Sequence, residues 1–132
     1  MAILETNMLI YSDRAQEVPF IVRDGDGGPA DFSLLTNKAL RFVIKLNRDD
    51  ADGDALIHKS SDSGINMGSW AEVSGTILLT SANTAKTLLI YGTYHWEMFL
   101  VSDETGRKEI QKGILQVTES LVKDETNLPA EN

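Results

Sequence analysis

Along this chain, polar and apolar residues alternate with a period of two in several places, and no long stretch carries the period of an amphipathic helix. The clearest segment is 93–101, where Tyr94, Trp96, Met98 and Leu100 interleave with His95, Glu97, Phe99 and Val101. Successive side chains of a strand point to opposite faces, so this spacing predicts a half-buried β-strand. Residues 39–46 follow the same rule. Leu40, Phe42, Ile44 and Leu46 fall on one face, and Arg41, Val43 and Lys45 on the other. A polar loop at 47–54 and an apolar return at 55–60 make these two segments a hairpin.

Further strands are expected at 7–12 (an edge), 18–23, 70–80 and 108–118, with a short apolar pair at Ile65 and Met67. Pro19 has no amide hydrogen, so its strand should start there or lie at a sheet edge. Ser74-Gly75 and Gly113 are the candidate bulges. Asp-Gly pairs at 24–27 and the run Asp103-Glu104-Thr105-Gly106 supply turns. Residues 81–86 hold the one helical turn in view, with Ser81 or Asn83 as its cap.

Seven or eight short strands, a turn about every ten residues and minimal helix imply an all-β, antiparallel β-sandwich, with a small barrel as the alternative. The expected domain covers residues 1–120, and residues 121–132 are expected to form a loose polar tail. Phe42, Ile44, Trp70, Trp96 and Leu100 are the expected core anchors. Each tryptophan can bury roughly 200 Å².

Composition narrows the function. The 132 residues suit one domain, and no cysteine is present for a disulfide or a thiolate metal site. The net charge is −8, with the twelve Lys and Arg residues scattered, which argues against nucleic-acid and anionic-membrane partners. No apolar run approaches the length that spans a bilayer, and the first residues do not form a secretory signal. Synthesis in the cytoplasm as a soluble protein is the expectation.

Candidate chemistry is sparse. The two histidines, His58 and His95, each sit in an ordinary strand pattern, where a solvent-facing role is expected. The acidic run Asp49, Asp50, Asp52 and Asp54 around Gly53 does not fit the helix-loop-helix calcium motif. With Gly53 at the sixth position, Arg48 would take the first and Lys59 the twelfth. A looser calcium site with Asp24 and Asp26 remains open. The glycines at 25, 27 and 28 lack the Gly-Lys-Ser/Thr sequence and following helix of a phosphate loop. Ser63-Gly64 and Ser74-Gly75 do not precede helices as nucleophile elbows do. The expectation is a protein that is not an enzyme and carries no cofactor.

Three passages together resemble a known family. They are the run Pro19-Phe20-Ile21-Val22-Arg23-Asp24-Gly25-Asp26-Gly27-Gly28-Pro29, the middle stretch from Gly75-Thr76-Ile77-Leu78-Leu79-Thr80 to Gly92-Thr93-Tyr94-His95-Trp96, and the closing Gly113-Ile114-Leu115-Gln116-Val117-Thr118. Over residues 15–120 their order is similar to the immunoglobulin-like N-terminal domain of phage baseplate upper proteins. The resemblance implies an immunoglobulin-like sandwich in a virion structural protein of a tail, baseplate or fibre-attachment region. It further implies a homo-oligomer that contacts other virion proteins and carries no catalytic residues. Met8, Ile10 and Tyr11 at the N-terminal edge, and Asp49, Asp50 and Asp52 at the acidic tip, are the expected interface. A carbohydrate-binding module is the alternative, and it would need a row of exposed rings.

Overall fold

The computed structural model describes residues 4–5, 7–24, 27–85, 88–89 and 92–118. The strands among them are β1 (Leu4–Glu5), β2 (Met8–Tyr11), β3 (Gln16–Ile21), β4 (Ala39–Lys45), β5 (Ile57–Ser60), β6 (Ile65–Met67), β7 (Ser74–Leu79), β8 (Gly92–Ser102) and β9 (Gly106–Thr118). A single 3₁₀ turn at Asp52–Asp54 is the only helical element among the described residues. The expected helical turn appears as a hydrogen-bonded turn at 81–84, and Lys86 lies outside the described residues. So do residues 121–132, where the loose tail was expected.

The strands form two sheets rather than one closed ladder. The larger runs β1-β9-β8-β4-β5, with β2 also pairing β9; the smaller runs β3-β7-β6. β4 pairs antiparallel with β5 and β8, and β8 with β9, whereas β1 and β2 lie parallel to β9. The two predicted hairpins, 39–60 and 93–118, therefore exist. Gly106 closes the second with a φ of +60°, a conformation that a residue without a β-carbon adopts at little cost.

Alternation along β8 decides which side of the large sheet is inside. Tyr94, Trp96, Met98 and Leu100 all turn inward and are buried. Phe42 and Ile44 of β4 and Leu115 and Val117 of β9 lie beside them in register. Ile65, Ile77 and Leu79 come from the small sheet to close the same core. Phe42 and Trp96 meet with ring centroids 6.0 Å apart. Polar ties also cross between the sheets; in one of them Gln111 Nε2 donates to the Ile21 carbonyl at 2.7 Å.

Several local expectations change. Trp70 is half-buried at the rim and is not a central anchor. Pairing of β7 begins only at Ser74, opposite Ile21, so Trp70 falls in the preceding turn. There its carbonyl accepts the Phe32 amide at 2.7 Å, and Lys38 Nζ lies 5.5 Å from its ring centroid. Leu46, placed inward by alternation, is 55% exposed because β4 ends at Lys45. The bulge in β9 sits not at Gly113 but where Phe99 faces Glu109 and Met98 faces Gln111, which leaves Ile110 as the extra residue. Ile110 and Gln111 are both buried as a result.

Gly75 likewise marks no bulge. It is a ladder residue between Phe20 of β3 and Met67 of β6. A β-carbon there would collide with the Asn66 carbonyl oxygen, which belongs to the backbone and cannot swing aside. Gly75→Ala is therefore expected to destabilise the fold by about 1–3 kcal/mol, the usual range for overpacking. Urea denaturation would read this as a lower midpoint at unchanged slope, and an unchanged midpoint would contradict the close approach.

Candidate functional site

The outer face of the large sheet carries most of the chemistry. Three rows cross its central strands. Lys45, His95 and Ile114 form one, Val43, Glu97 and Lys112 the next, and Arg41, Phe99 and Glu109 the third. Alternation predicts these residues to face water, yet Val43, Lys45 and Phe99 are nearly as buried as the core, at 2%, 4% and 5% exposure.

The cover comes from charge pairing. Lys45 Nζ lies 2.8 Å from Asp52 Oδ1 and 3.9 Å from Glu97 Oε1. Arg107 binds Asp52 through Nε at 2.9 Å, Glu97 through Nη2 at 2.7 Å and Glu109 through Nη1 at 3.3 Å. Its guanidinium carbon stands 4.3 Å from the Phe99 ring centroid, so the cation also roofs an apolar ring. A lysine removed from water without a partner would be strongly destabilising; here two carboxylates neutralise it. Hydrogen bonds from Arg107 and Lys45 hold the Asp52 carboxyl down to about 2, and the bond to Asp52 in turn holds the Arg107 guanidinium above its ordinary value.

Asp52 belongs to the loop between β4 and β5. Its bonds to Lys45 and Arg107 therefore fold that loop back over the sheet. Within the loop, Asn47 N–H donates to Asp50 Oδ2 at 3.0 Å, and the 3₁₀ turn sets the carboxylate of Asp52 toward the strands. The expected acidic interface thus divides. Asp49 is exposed and Asp50 is half-buried, while Asp52 is the latch of the loop rather than an open contact.

A groove of about 360 Å³ lies beside this latch. Its lining includes His95 and Ile114 of one row, Glu97 and Lys112 of the next, Arg48 of the loop, and Asn7. A second cavity, of about 460 Å³, follows the seam between the sheets and is lined chiefly by the apolar side chains of Met8, Phe20, Ile21, Trp96 and Met98.

The N-terminal edge needs a correction. Ile10 is fully buried and cannot meet a partner. Met8 and Ile10 share a parity and face inward, whereas Leu9 and Tyr11 face outward at 55% and 39% exposure. Tyr11 offers its ring but not its backbone, since its N–H donates to Gln16 Oε1 at 2.9 Å and its carbonyl accepts Gln16 Nε2 at 2.7 Å. Leu9 and Ile114, the latter 45% exposed, are apolar residues on the outer face of the large sheet that the sequence pattern did not single out. Strict period-two parity within 8–11 would have found Leu9. Lys45, Glu97 and Arg107 were also missed, because a strand sequence does not say what lies over its outer face.

His58 stays apart from His95. It lies on β5 opposite Val43, with Nε2 3.1 Å from Arg41 Nη1. Among the described residues no group of three or more His, Cys, Asp or Glu is placed to hold a metal ion. The Asp24 N–H donates to the Gly28 carbonyl at 2.9 Å, and Asp26 lies outside the described residues. No helix among the described residues is long and apolar enough to cross a membrane.

No protein-family model matches the chain, and no curated protein matches it significantly. The structure defines an all-β fold of two sheets around one core, with a charge-latched loop on its larger sheet.

The depressed Asp52 carboxyl links stability to acidity. Its folded value of about 2 lies below the ordinary 3.8, so the bound carboxylate stabilises the fold fully above pH 4. That contribution is lost as pH falls from about 4 toward 2. Because the Asp52 side chain is 41% exposed, solvent screens the pair, and about 1 kcal/mol is the expected amplitude. Denaturant titrations at pH 7 and pH 2.5 should show Asp52→Asn shrinking the acid-induced loss by that amount. An identical loss in both proteins would contradict the latch.

Proposed function

We propose that this chain is a virion structural adaptor of a phage tail, baseplate or fibre-attachment region, acting through protein–protein contacts on an immunoglobulin-like sandwich. Strand order supports the fold. With β3 as strand B, the small sheet runs B-E-D, and the large sheet runs G-F-C-C′ with β1 and β2 laid along G. The resemblance of residues 15–120 to baseplate upper-protein domains supports the setting.

The observation that carries a contact role is the outer face of β2-β9-β8-β4. It is held rigid by the Lys45–Asp52–Arg107–Glu97 network, and Leu9, Tyr11 and Ile114 stand exposed beside it. Leu9 faces Gln116, one outward step along β9 from Ile114, so these apolar groups are neighbours rather than scattered single residues. The role needs no cofactor, and the partners are other virion proteins and further copies of the chain. A glycan platform has less support: among the described aromatic residues Tyr11 alone is exposed, and Tyr94 and Trp96 are buried.

Immunogold labelling of phage particles released from the producing host tests the reading directly. Label confined to the tail tip, baseplate or neck is expected. Unlabelled particles, together with selective binding on a glycan array, would replace the adaptor reading with the carbohydrate one.

A further inference from the structure

We propose that the cavity in the seam between the two sheets is a binding site for a small, neutral aromatic molecule that carries a hydroxyl group. The site is separate from the outer face on which the contact role rests, and it stands or falls without that role.

Size and lining set the class of ligand. The cavity holds about 460 Å³, within the roughly 300–1,000 Å³ of small-molecule sites. Met8, Trp96 and Met98 of the large sheet and Phe20 and Ile77 of the small sheet line it, and no charged side chain among the described residues does. Met8 and Phe20 are half-buried, whereas Trp96, Met98 and Ile77 are almost wholly buried, so the cavity runs from the surface into the core. A charged ligand would lose its hydration there and meet no counter-ion, which excludes anions and cations. Two thioethers and two aromatic side chains favour a flat ring, since methionine sulfur packs well against ring edges.

One polar group calls for the hydroxyl. Gln111 is 7% exposed, and its Nε2 donates to the Ile21 carbonyl at 2.7 Å. A carbonyl only accepts, so that bond fixes which end of the amide is nitrogen. Oε1 accepts no hydrogen bond among the described residues. No fully buried side-chain nitrogen or oxygen among them lacks a partner, so Oε1 borders open space, and the cavity that Gln111 lines is that space. An O–H from the ligand completes the amide's bonding, while its ring removes the apolar walls from water. A water molecule would satisfy the oxygen but leave those walls wet. The ligand touches both sheets at once, so its binding also holds them together.

Isothermal titration calorimetry of the full chain with p-cresol, toluene and p-toluate tests the site. p-Cresol should bind one-to-one, with a dissociation constant in the roughly micromolar-to-millimolar range open to so small a ligand. Toluene, which lacks the hydroxyl, should bind about three- to tenfold more weakly, and p-toluate should give no heat of binding. Gln111→Met should bring p-cresol down to the toluene affinity and leave toluene no weaker, a split that a merely loosened fold would not produce. This change also strips the Ile21 carbonyl of its donor. If thermal melts show the variant unfolded, Met8→Trp, which fills the mouth of the cavity from a half-buried position, should weaken both ligands by about tenfold or more. Four results overturn the site: no p-cresol binding at millimolar concentration, equal affinity for p-cresol and toluene, p-toluate binding as tightly as p-cresol, or Met8→Trp leaving both affinities unchanged. None of them touches the adaptor reading, which the labelled particles decide.

Discussion

Strand β8 is paired along both edges, with β4 on one side and β9 on the other, and everything else in the molecule is placed by that pairing. A strand held on both sides cannot slip by one residue without exchanging its whole inner and outer sets. Tyr94, Trp96, Met98 and Leu100 are therefore committed to the core together, and His95, Glu97 and Phe99 to the outer face together. The inner set gives the small sheet something to close over. The outer set presents Glu97 and Phe99 to whatever can reach across from β4 and β9.

What reaches across is a pair of cations. Lys45 ends β4 and Arg107 is the second residue of β9, and Asp52 between them ties the β4–β5 loop to the sheet. A loop of such polarity would ordinarily extend into water. Here it is drawn back because the Asp52 carboxylate bonds both a nearly buried lysine and a guanidinium that lies over Phe99. The latch holds the loop on which Asp49 and Asp54 also stand exposed. Stability and the placement of the loop are thus coupled at one residue, Asp52.

The edges obey a second constraint. An open strand edge invites pairing with another chain, and this domain restrains both edges on the side where the sheets meet. On β2 the Gln16 amide occupies the backbone groups of Tyr11 as a neighbouring strand would. On β3, Pro19 lacks a donor, and Gln111 takes the Ile21 carbonyl from the opposite sheet. Strand addition is therefore hindered along β2 and β3, whereas β5 and β6 end the two sheets on the opposite side.

Period-two alternation within the sequence was enough to determine an all-β domain, its two hairpins and the burial of Phe42, Ile44, Trp96 and Leu100, because side-chain parity in a strand is a local property. The missing amide hydrogen of Pro19 left its strand either starting there or lying at an edge, and the structure has the edge. Alternation could not place Trp70, since a wide aromatic ring beyond a strand's first pair is buried or not according to what packs over it. Nor could it show that Ile10 is core, that Lys45 is buried, or that Arg107 lies against Asp52, a residue 55 positions earlier. Those outcomes depend on which sheet a short strand joins and on how a loop folds back over a face. Such choices are made by contacts between distant segments, and only the tertiary structure contains them.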